Sequence, residues 1–387
     1  MTERATGLLA TADGEVFGGM SVGVEGVVTG EAVFNTSMTG YQEIITDPSY
    51  AGQVVVMTSP HIGNYGTNNR DEQSKGPAVS GLVVRSLSRR ESSWRSEGTL
   101  GAYFAQNGVV ALSEIDTRRL TRHLRDRGAM PVAMGSGMTE GELREAAAAA
   151  PRMEGQDLAS KVTTQEPYRL AAEGERIGSV VAIDLGLKKE ILRNLTKRSL
   201  DVDVVPAHTS ASTILSTDPD GVFVSNGPGD PEPLIATTET MRGLIGKVPV
   251  FGICLGHQVM GLAMGASTFK LPFGHHGGNH PVRRYSDGGI EITAQNHGFA
   301  VDLWGMAERQ SPERDGLVES DMLPELVNSS FGEVRPTHQN LNDGTLEGMT
   351  FMDVPAYSVQ YHPEAAPGPG DAQSLFDDFV GLIERGV

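Results

Sequence analysis

The chain holds a single cysteine in 387 residues, Cys254, which excludes an intrachain disulfide and fits a reducing cytosol. Basic residues are also scarce. Against 49 Asp and Glu stand 31 Lys and Arg, and the resulting formal charge of −18 opposes binding to nucleic acid or to an anionic membrane surface. No apolar run approaches the roughly 20 residues needed to span a bilayer, and the N-terminal M-T-E-R-A-T-G lacks a signal-peptide apolar segment. The expectation is a soluble cytoplasmic protein without nucleic-acid or membrane partners. A G-x-x-x-x-G-K-[ST] phosphate loop, a His-Glu-x-x-His helix and an internal repeat are all missing.

What is present is ample chain for two or three domains, with a 39% apolar share and 48 glycines that point to many turns. The first part reads as strand-rich. Ala12-Asp-Gly14 is a hairpin signal between Leu8-Leu9 and Val16-Phe17, and Val54 to Met57 and Leu82 to Val84 are compact β runs. Ile115 to Arg127 has helical periodicity, and Glu140 to Ala150 reads as a surface helix stopped by Pro151. These features suggest an N-terminal domain over 1–165 and a polar linker over 166–178.

Residues 179–387 alternate strand and helix. Strands are expected at Val180–Ile183, Val202–Val205, Val222–Val224 and near Val250; helices at Leu187–Leu200, near Ser212, at Ile235–Leu244 and at Asp371–Glu384, the last with Leu375, Phe379 and Leu382 inward. That alternation implies a doubly wound, mostly parallel α/β sheet with ligands at the carboxyl ends of its strands. The polar stretch from Ala307 to Thr337, including Ser311 to Gly316, reads as a surface excursion, partly helical or disordered.

Pro249 to Gly261 reads P-V-F-G-I-C-L-G-H-Q-V-M-G. A lone cysteine in an apolar run is ordinarily structural. Here Gly252 and Gly256 flank Cys254 symmetrically, as a tight strand-to-helix nucleophile elbow requires, and the polar His257-Gln258 follows. A helix beginning at Leu255 would favour thiolate over thiol. The candidate base is His362, delivered by the alternating strand before His362-Pro-Glu364, with Glu364 close enough to hold the imidazole tautomer. Phe223-Val-Ser-Asn-Gly-Pro-Gly-Asp-Pro231 is a strand and loop whose Gly227 and Gly229 can expose backbone N–H groups. It suits an oxyanion hole or the capture of a charged substrate end. His275-His276-Gly-Gly-Asn-His280 invites a metal reading, but no assured carboxylate ligand lies nearby. A glycine-rich loop with exposed or partner-facing histidines, and no metal, is the expectation.

G-I-C-L-G-H-Q, S-N-G-P-G-D-P and the late H-P-E resemble, in order, the class I (triad) glutamine amidotransferases. Asn35 to Glu43, Thr46-Asp-Pro-Ser-Tyr50, Pro60 to Asn64, Phe273 to Pro281 and Thr293 to Phe299 narrow this to the carbamoyl phosphate synthetase small-subunit family, over nearly the whole chain. The resemblance implies a Cys254–His362–Glu364 triad that releases ammonia from L-glutamine through a glutamyl thioester, with N–H groups of Gly227 and Leu255 as oxyanion donors. It further implies glutamine contacts at Ser49, Gly227, Gly229, Leu255, Gln258, Asn296, Gly298 and Phe299, with Ser49 placing the pocket against the domain junction.

By the same resemblance, ammonia passes to a large subunit, in a heterodimer or higher assembly. That subunit makes carbamoyl phosphate from bicarbonate and ATP for arginine and pyrimidine biosynthesis. No cofactor is expected in this chain; ATP and a divalent metal are implied only for the large subunit. Tyr361, where some relatives carry glycine, is a local difference beside His362. Two rival readings remain at this point. The glutaminase of another synthetase would leave residues 1–165 unexplained, and a non-catalytic scaffold would leave the intact triad unexplained.

Overall fold

A computed structural model describes residues 6–307 and 323–386. The chain forms two compact units, Met1–Gln156 with Pro272–Gly277, and Asp157–Leu271 with Gly278–Val387. Ser311 to Gly316 lies outside the described residues.

The first unit is built on a closed seven-stranded barrel. Its strands run around the barrel in the order Thr6–Thr11, Val16–Ser21, Ala111–Ser113, Gly81–Val83, Gln53–Met57, Val27–Asn35 and Met130–Gly135, the last pairing back to the first. The hairpin expected at Ala12-Asp-Gly14 is present, with Leu9 opposite Phe17. Gln53–Met57 reads as an unbroken apolar run because both its faces are covered: Val54 and Val56 pack in one core cluster, Val55 and Met57 in another. The Thr117–Arg127 helix lays Leu120 and Leu124 on the first of these clusters, and Asp116 caps it by accepting from the Arg119 N–H at 3.0 Å. Glu140–Ala149 opens with a Thr139–Glu142 capping box.

The second unit has an eleven-stranded sheet. At its centre Leu200–Pro206, Gly178–Asp184, Gly221–Val224, Val250–Ile253 and Ala356–Val359 lie side by side in parallel. Antiparallel strands extend it on both sides, including Tyr168–Leu170 at one edge. Residues 166–178 thus contain an edge strand and cluster with the C-terminal unit, whose boundary falls at Asp157. Alternation along Gly178–Asp184 divides the core: Val181 and Ile183 pack with the Ile235–Leu244 and Leu255–Met264 helices, Val180 and Ala182 with Lys189–Lys197 and Ser374–Arg385. Because Gly178–Asp184 is flanked by the strands that follow it in sequence on opposite sides, the strand order reverses there. The carboxyl ends around it form the crevice in which open α/β sheets bind ligands.

Three sequence expectations change. The last helix buries Phe376 and Phe379, with Leu375, Val380 and Ile383 packed against the same core; Leu375 and Phe379 face inward as expected, while Leu382 lies outside that cluster and Phe376 joins it. His275 and His276 are buried within the long Ser267–Arg284 strand rather than displayed on a loop. The His276 carbonyl accepts from the Thr36 N–H at 3.1 Å, and its ring faces Tyr50 at 5.8 Å, so hydrogen bonding and packing override the glycine-rich composition. Of the 307–337 excursion, Val327–Ser329 and the start of Gly332–Asn340 form an antiparallel hairpin on the main sheet.

Candidate active site

Val250–Ile253 ends directly at Cys254, and the Leu255–Met264 helix starts at the next residue. Cys254 is held at φ 55 and ψ −106, a left-hand conformation that a non-glycine residue adopts at a cost of about 1–3 kcal/mol. Gly256 is sterically required, and Gly252 packs against a flexible methionine side chain. A Cβ on Gly256 would lie 2.3 Å from the Val224 carbonyl oxygen, and one on Gly252 would lie 2.6 Å from Met260 Sδ. The elbow is therefore pressed against the neighbouring parallel strand, and its turn presents the sulfur at the sheet's carboxyl edge. The Cys254 thiol is buried and lies 3.5 Å from the Asn296 carbonyl, to which it donates.

Ala356–Val359 runs parallel to the cysteine's strand, and the Cys254 N–H donates to the Val359 carbonyl at 2.9 Å. Three residues on, the His362 N–H donates to Ala294 at 2.9 Å, which fixes the histidine backbone to the Ile290–Asp302 strand. His362 Nδ1 is 2.7 Å from Glu364 Oε1, with both side chains buried. Its Nε2 has no nitrogen or oxygen partner, and Cys254 lies close enough to act on the ring. Lys188, just past the end of Gly178–Asp184, completes the cluster. Its Nζ is 2.9 Å from Glu364 Oε1 and donates to the Ala365 carbonyl at 2.7 Å.

The electrostatics follow from this crowding. Burial is the largest single influence and disfavours the charged imidazole, with Lys188 adding to it, but the Glu364 carboxylate and Cys254 together outweigh them, raising His362 to about 10. Burial likewise disfavours the Glu364 charge, but Lys188 and His362 hold that carboxyl down at about 2. The geometry thus favours an imidazolium beside Cys254, backed by a carboxylate and an ammonium. His257 behaves differently. Burial, with His338 adding to it, holds its pKa down to about 3, and its Nδ1 is 2.8 Å from Ser358 Oγ, so it is a neutral packing residue.

Around this centre the C-terminal unit gathers most of the other expected positions. Gly227 packs so tightly that a Cβ there would meet the Leu185 carbonyl oxygen at 2.1 Å and Leu255 Cδ2 at 2.7 Å. Gly229 adopts φ 88, which suits glycine in that loop. Gln258 Nε2 donates to the Phe299 carbonyl at 2.7 Å and to Gln360 Oε1 at 3.0 Å, tying the nucleophile's helix to the strand of Asn296, Gly298 and Phe299. Ser49 belongs to the N-terminal unit, buried in the Pro48–Tyr50 turn with its N–H donating to Asp47 Oδ1 at 2.9 Å. Sequence reasoning missed Lys188. Its signal was positional: Leu185-Gly-Leu-Lys188 follows a central strand, as Asn226 and Cys254 do.

A parallel sheet with an elbow cysteine and a strand-end histidine defines the class I glutamine amidotransferase architecture, and that family's profile, "Glutamine amidotransferase class-I", matches residues 181–382. A second profile, "Carbamoyl-phosphate synthase small chain, CPSase domain", matches residues 9–134. Curated carbamoyl phosphate synthase small chains align end to end. That of Syntrophotalea carbinolica is 49% identical over 98% of both chains, that of Akkermansia muciniphila 47% over 97% of both, and that of Vibrio cholerae 46% over 98% of both. The chain belongs to the carbamoyl phosphate synthase small chain family, and its activity is that of the glutamine amidotransferase component. The solved structure of a putative GMP synthase component from Thermoplasma acidophilum is similar at TM-score 0.41 and 18% identity, covering 55% of this chain and 96% of that one, a likeness too low to carry an argument. No helix among the described residues is long and apolar enough to cross a membrane.

Proposed function

We propose that Cys254, His362 and Glu364 are the triad that hydrolyses L-glutamine, and that Lys188 positions Glu364. The observation that carries this reading is the buried Lys188–Glu364–His362 cluster beside a strained elbow cysteine. The Cys254 thiolate attacks the side-chain amide carbon, forming a C–S bond and a tetrahedral oxyanion, for which Leu255 N–H at the helix start and Gly227 N–H are the donors. The imidazolium of His362 gives its proton to the departing nitrogen, so ammonia leaves and a γ-glutamyl thioester remains. Water, deprotonated by the now neutral His362, attacks the thioester, and glutamate departs as the sulfur is released.

Glutamine's zwitterionic end suits neutral polar groups and backbone, a role we assign to Ser49, Gly229, Gln258, Asn296, Gly298 and Phe299. Ammonia passes to a large synthetase subunit in the cytoplasm. ATP and divalent metal belong to that partner, and this chain uses no cofactor. The product serves arginine and pyrimidine biosynthesis.

Cys254→Ser in the reconstituted complex tests the assignment. Glutamine-dependent carbamoyl phosphate synthesis should fall below detection while synthesis from added ammonia persists. Full glutaminase activity in that variant would overturn it.

A further inference from the structure

A second concave feature of the C-terminal unit has no part in this chemistry. It is an open cavity of about 730 Å³ between the Ser374–Arg385 helix and the Gly332–Asn340 and Ala356–Val359 strands, and none of Cys254, His362 and Glu364 lines it. The volume falls in the range of small-molecule sites, roughly 300–1,000 Å³. Part of its wall is apolar: Val359 and Tyr357 from the sheet, and the half-buried Leu375 and Leu382 from the last helix.

Its polar wall runs against the character of the chain. In a protein of net charge −18, Arg284, Arg335 and Arg385 converge on one cavity with only Glu291 and Asp378 as acids. Arg284 is held by Asp287 and Glu291, and Glu291 also accepts from the Tyr361 hydroxyl at 3.2 Å, so that acid is already engaged. Burial and the neighbouring Asp377 push the Asp378 carboxyl up, against the opposing pull of Arg385 and Arg284. Arg335 and Arg385 make no ion pair or hydrogen bond among the described residues.

The wall also holds a buried imidazole. His338 lines the cavity at 5% exposure, its Nδ1 shares a hydrogen bond with Thr337 Oγ1 at 2.9 Å, and its Nε2 has no partner. Burial, reinforced by the Arg284 charge, holds its pKa down to about 4, so it is a neutral imidazole at pH 7.

We infer that this cavity binds a small organic anion, with a carboxylate or phosphate monoester on Arg335 and Arg385 and a flat apolar body against the Leu375–Leu382 face. Guanidinium groups match both oxyanions through paired N–H donors, and the neutral His338 in the wall adds no competing charge.

Titration calorimetry on the full chain, with 2-naphthoate, 1-naphthyl phosphate, 2-naphthylmethanol and inorganic phosphate as probes, tests the inference. The two aromatic anions should bind at least about tenfold more tightly than the neutral alcohol or phosphate alone, and whichever anion binds more tightly identifies the preferred head group. The double variant Arg335→Ala, Arg385→Ala should lose at least about tenfold for both anions while keeping its glutaminase rate in the complex. Binding should also shift the His338 imidazole signals in nitrogen-15 spectra. Absence of binding at millimolar probe, or equal affinity in the double variant, would overturn the proposal. Should the double variant unfold, Leu382→Gln serves instead: loss of aromatic-anion binding supports the site, and unchanged binding refutes it.

Discussion

In the N-terminal unit, the buried Asp47 and Asp71 carboxylates hold loop groups close to them in sequence. Asp47 accepts from the Ser49 N–H at 2.9 Å, and Asp71 accepts from Asn68 Nδ2 at 2.8 Å. In the C-terminal unit, Glu364 meets Lys188, which follows a strand far away in sequence, and both it and His362 are ionised under cover. The first arrangement reinforces a turn that the local chain already favours. The second collects charges whose desolvation is costly, and which packing apolar groups could replace at no loss of stability. Such clusters persist where chemistry needs a particular protonation state. The difference separates a carboxylate that shapes a loop from one that sets the charge of a neighbour.

The sharpest way to break this contrast is to change the C-terminal cluster. His362→Asn should lower glutamine-dependent turnover of the complex by on the order of 10²–10⁴-fold, the usual worth of general acid–base catalysis. Glu364→Gln should cost less, because the imidazole remains, but it should move the histidine's titration. In the native protein the folded-state pKa is raised from 6.5 to about 10, so the associated stability is present below 6.5 and is lost as pH rises through about 10. Without the Glu364 charge, burial and Lys188 both oppose the imidazolium, and His362 should lose its proton below its ordinary value. Nitrogen-15 histidine spectra across pH would read this. An unchanged His362 titration in Glu364→Gln, or an equal loss of turnover in both variants, would contradict the division of roles.

How far these features are legible in the sequence depends on their range. The elbow is local: Gly252, Cys254 and Gly256 lie within five residues, and the steric demand on each glycine is met by the adjacent strand and helix. The Ala12-Asp-Gly14 hairpin is legible for the same reason. Lys188 was invisible because an isolated lysine before a helix reads as a solvated charge, and only the sheet's strand order brings it to Glu364. The buried His275 and His276 were misread because glycine-rich composition signals a loop, while their strand pairing depends on distant segments such as Thr36. Of the stripe expected on the last helix, Leu375 and Phe379 pack inward and Leu382 does not, since leucine and phenylalanine there offer two overlapping apolar faces and the sheet selects the one with Phe376.

A smaller effect sharpens the comparison within the cluster itself. Lys188→Met keeps the length of the side chain but removes its charge-assisted bonds to Glu364 and the Ala365 carbonyl. One such interaction is worth about 1.5–3 kcal/mol, so turnover should fall by roughly tenfold or somewhat more. Because Lys188 opposes the His362 imidazolium and supports the Glu364 carboxylate, its loss should raise both pKa values, the reverse of the shift Glu364→Gln gives His362. A variant that loses thermal stability with unaltered turnover and unaltered histidine titration would assign Lys188 to the scaffold alone.

The smallest effect should come from the N-terminal unit. Asp71→Asn leaves an acceptor oxygen for Asn68 Nδ2 and removes only the charge facing Arg95, 3.1 Å away. Arg95 is 40% exposed, so solvent already screens much of that attraction, and such pairs contribute about 0–1 kcal/mol. For a domain of 150–250 residues, 1 kcal/mol corresponds to a Tm change of roughly 2–4 °C, which bounds the expected loss. Glutamine turnover in the complex should stay within twofold of the native rate, because Asp71 supports its own loop and sets no other group's protonation state. Calorimetric melting and turnover, measured on the same preparation, read the two outcomes separately. A fall in turnover comparable to that of Lys188→Met would mean that buried carboxylates in the two units are not divided between loop support and chemistry.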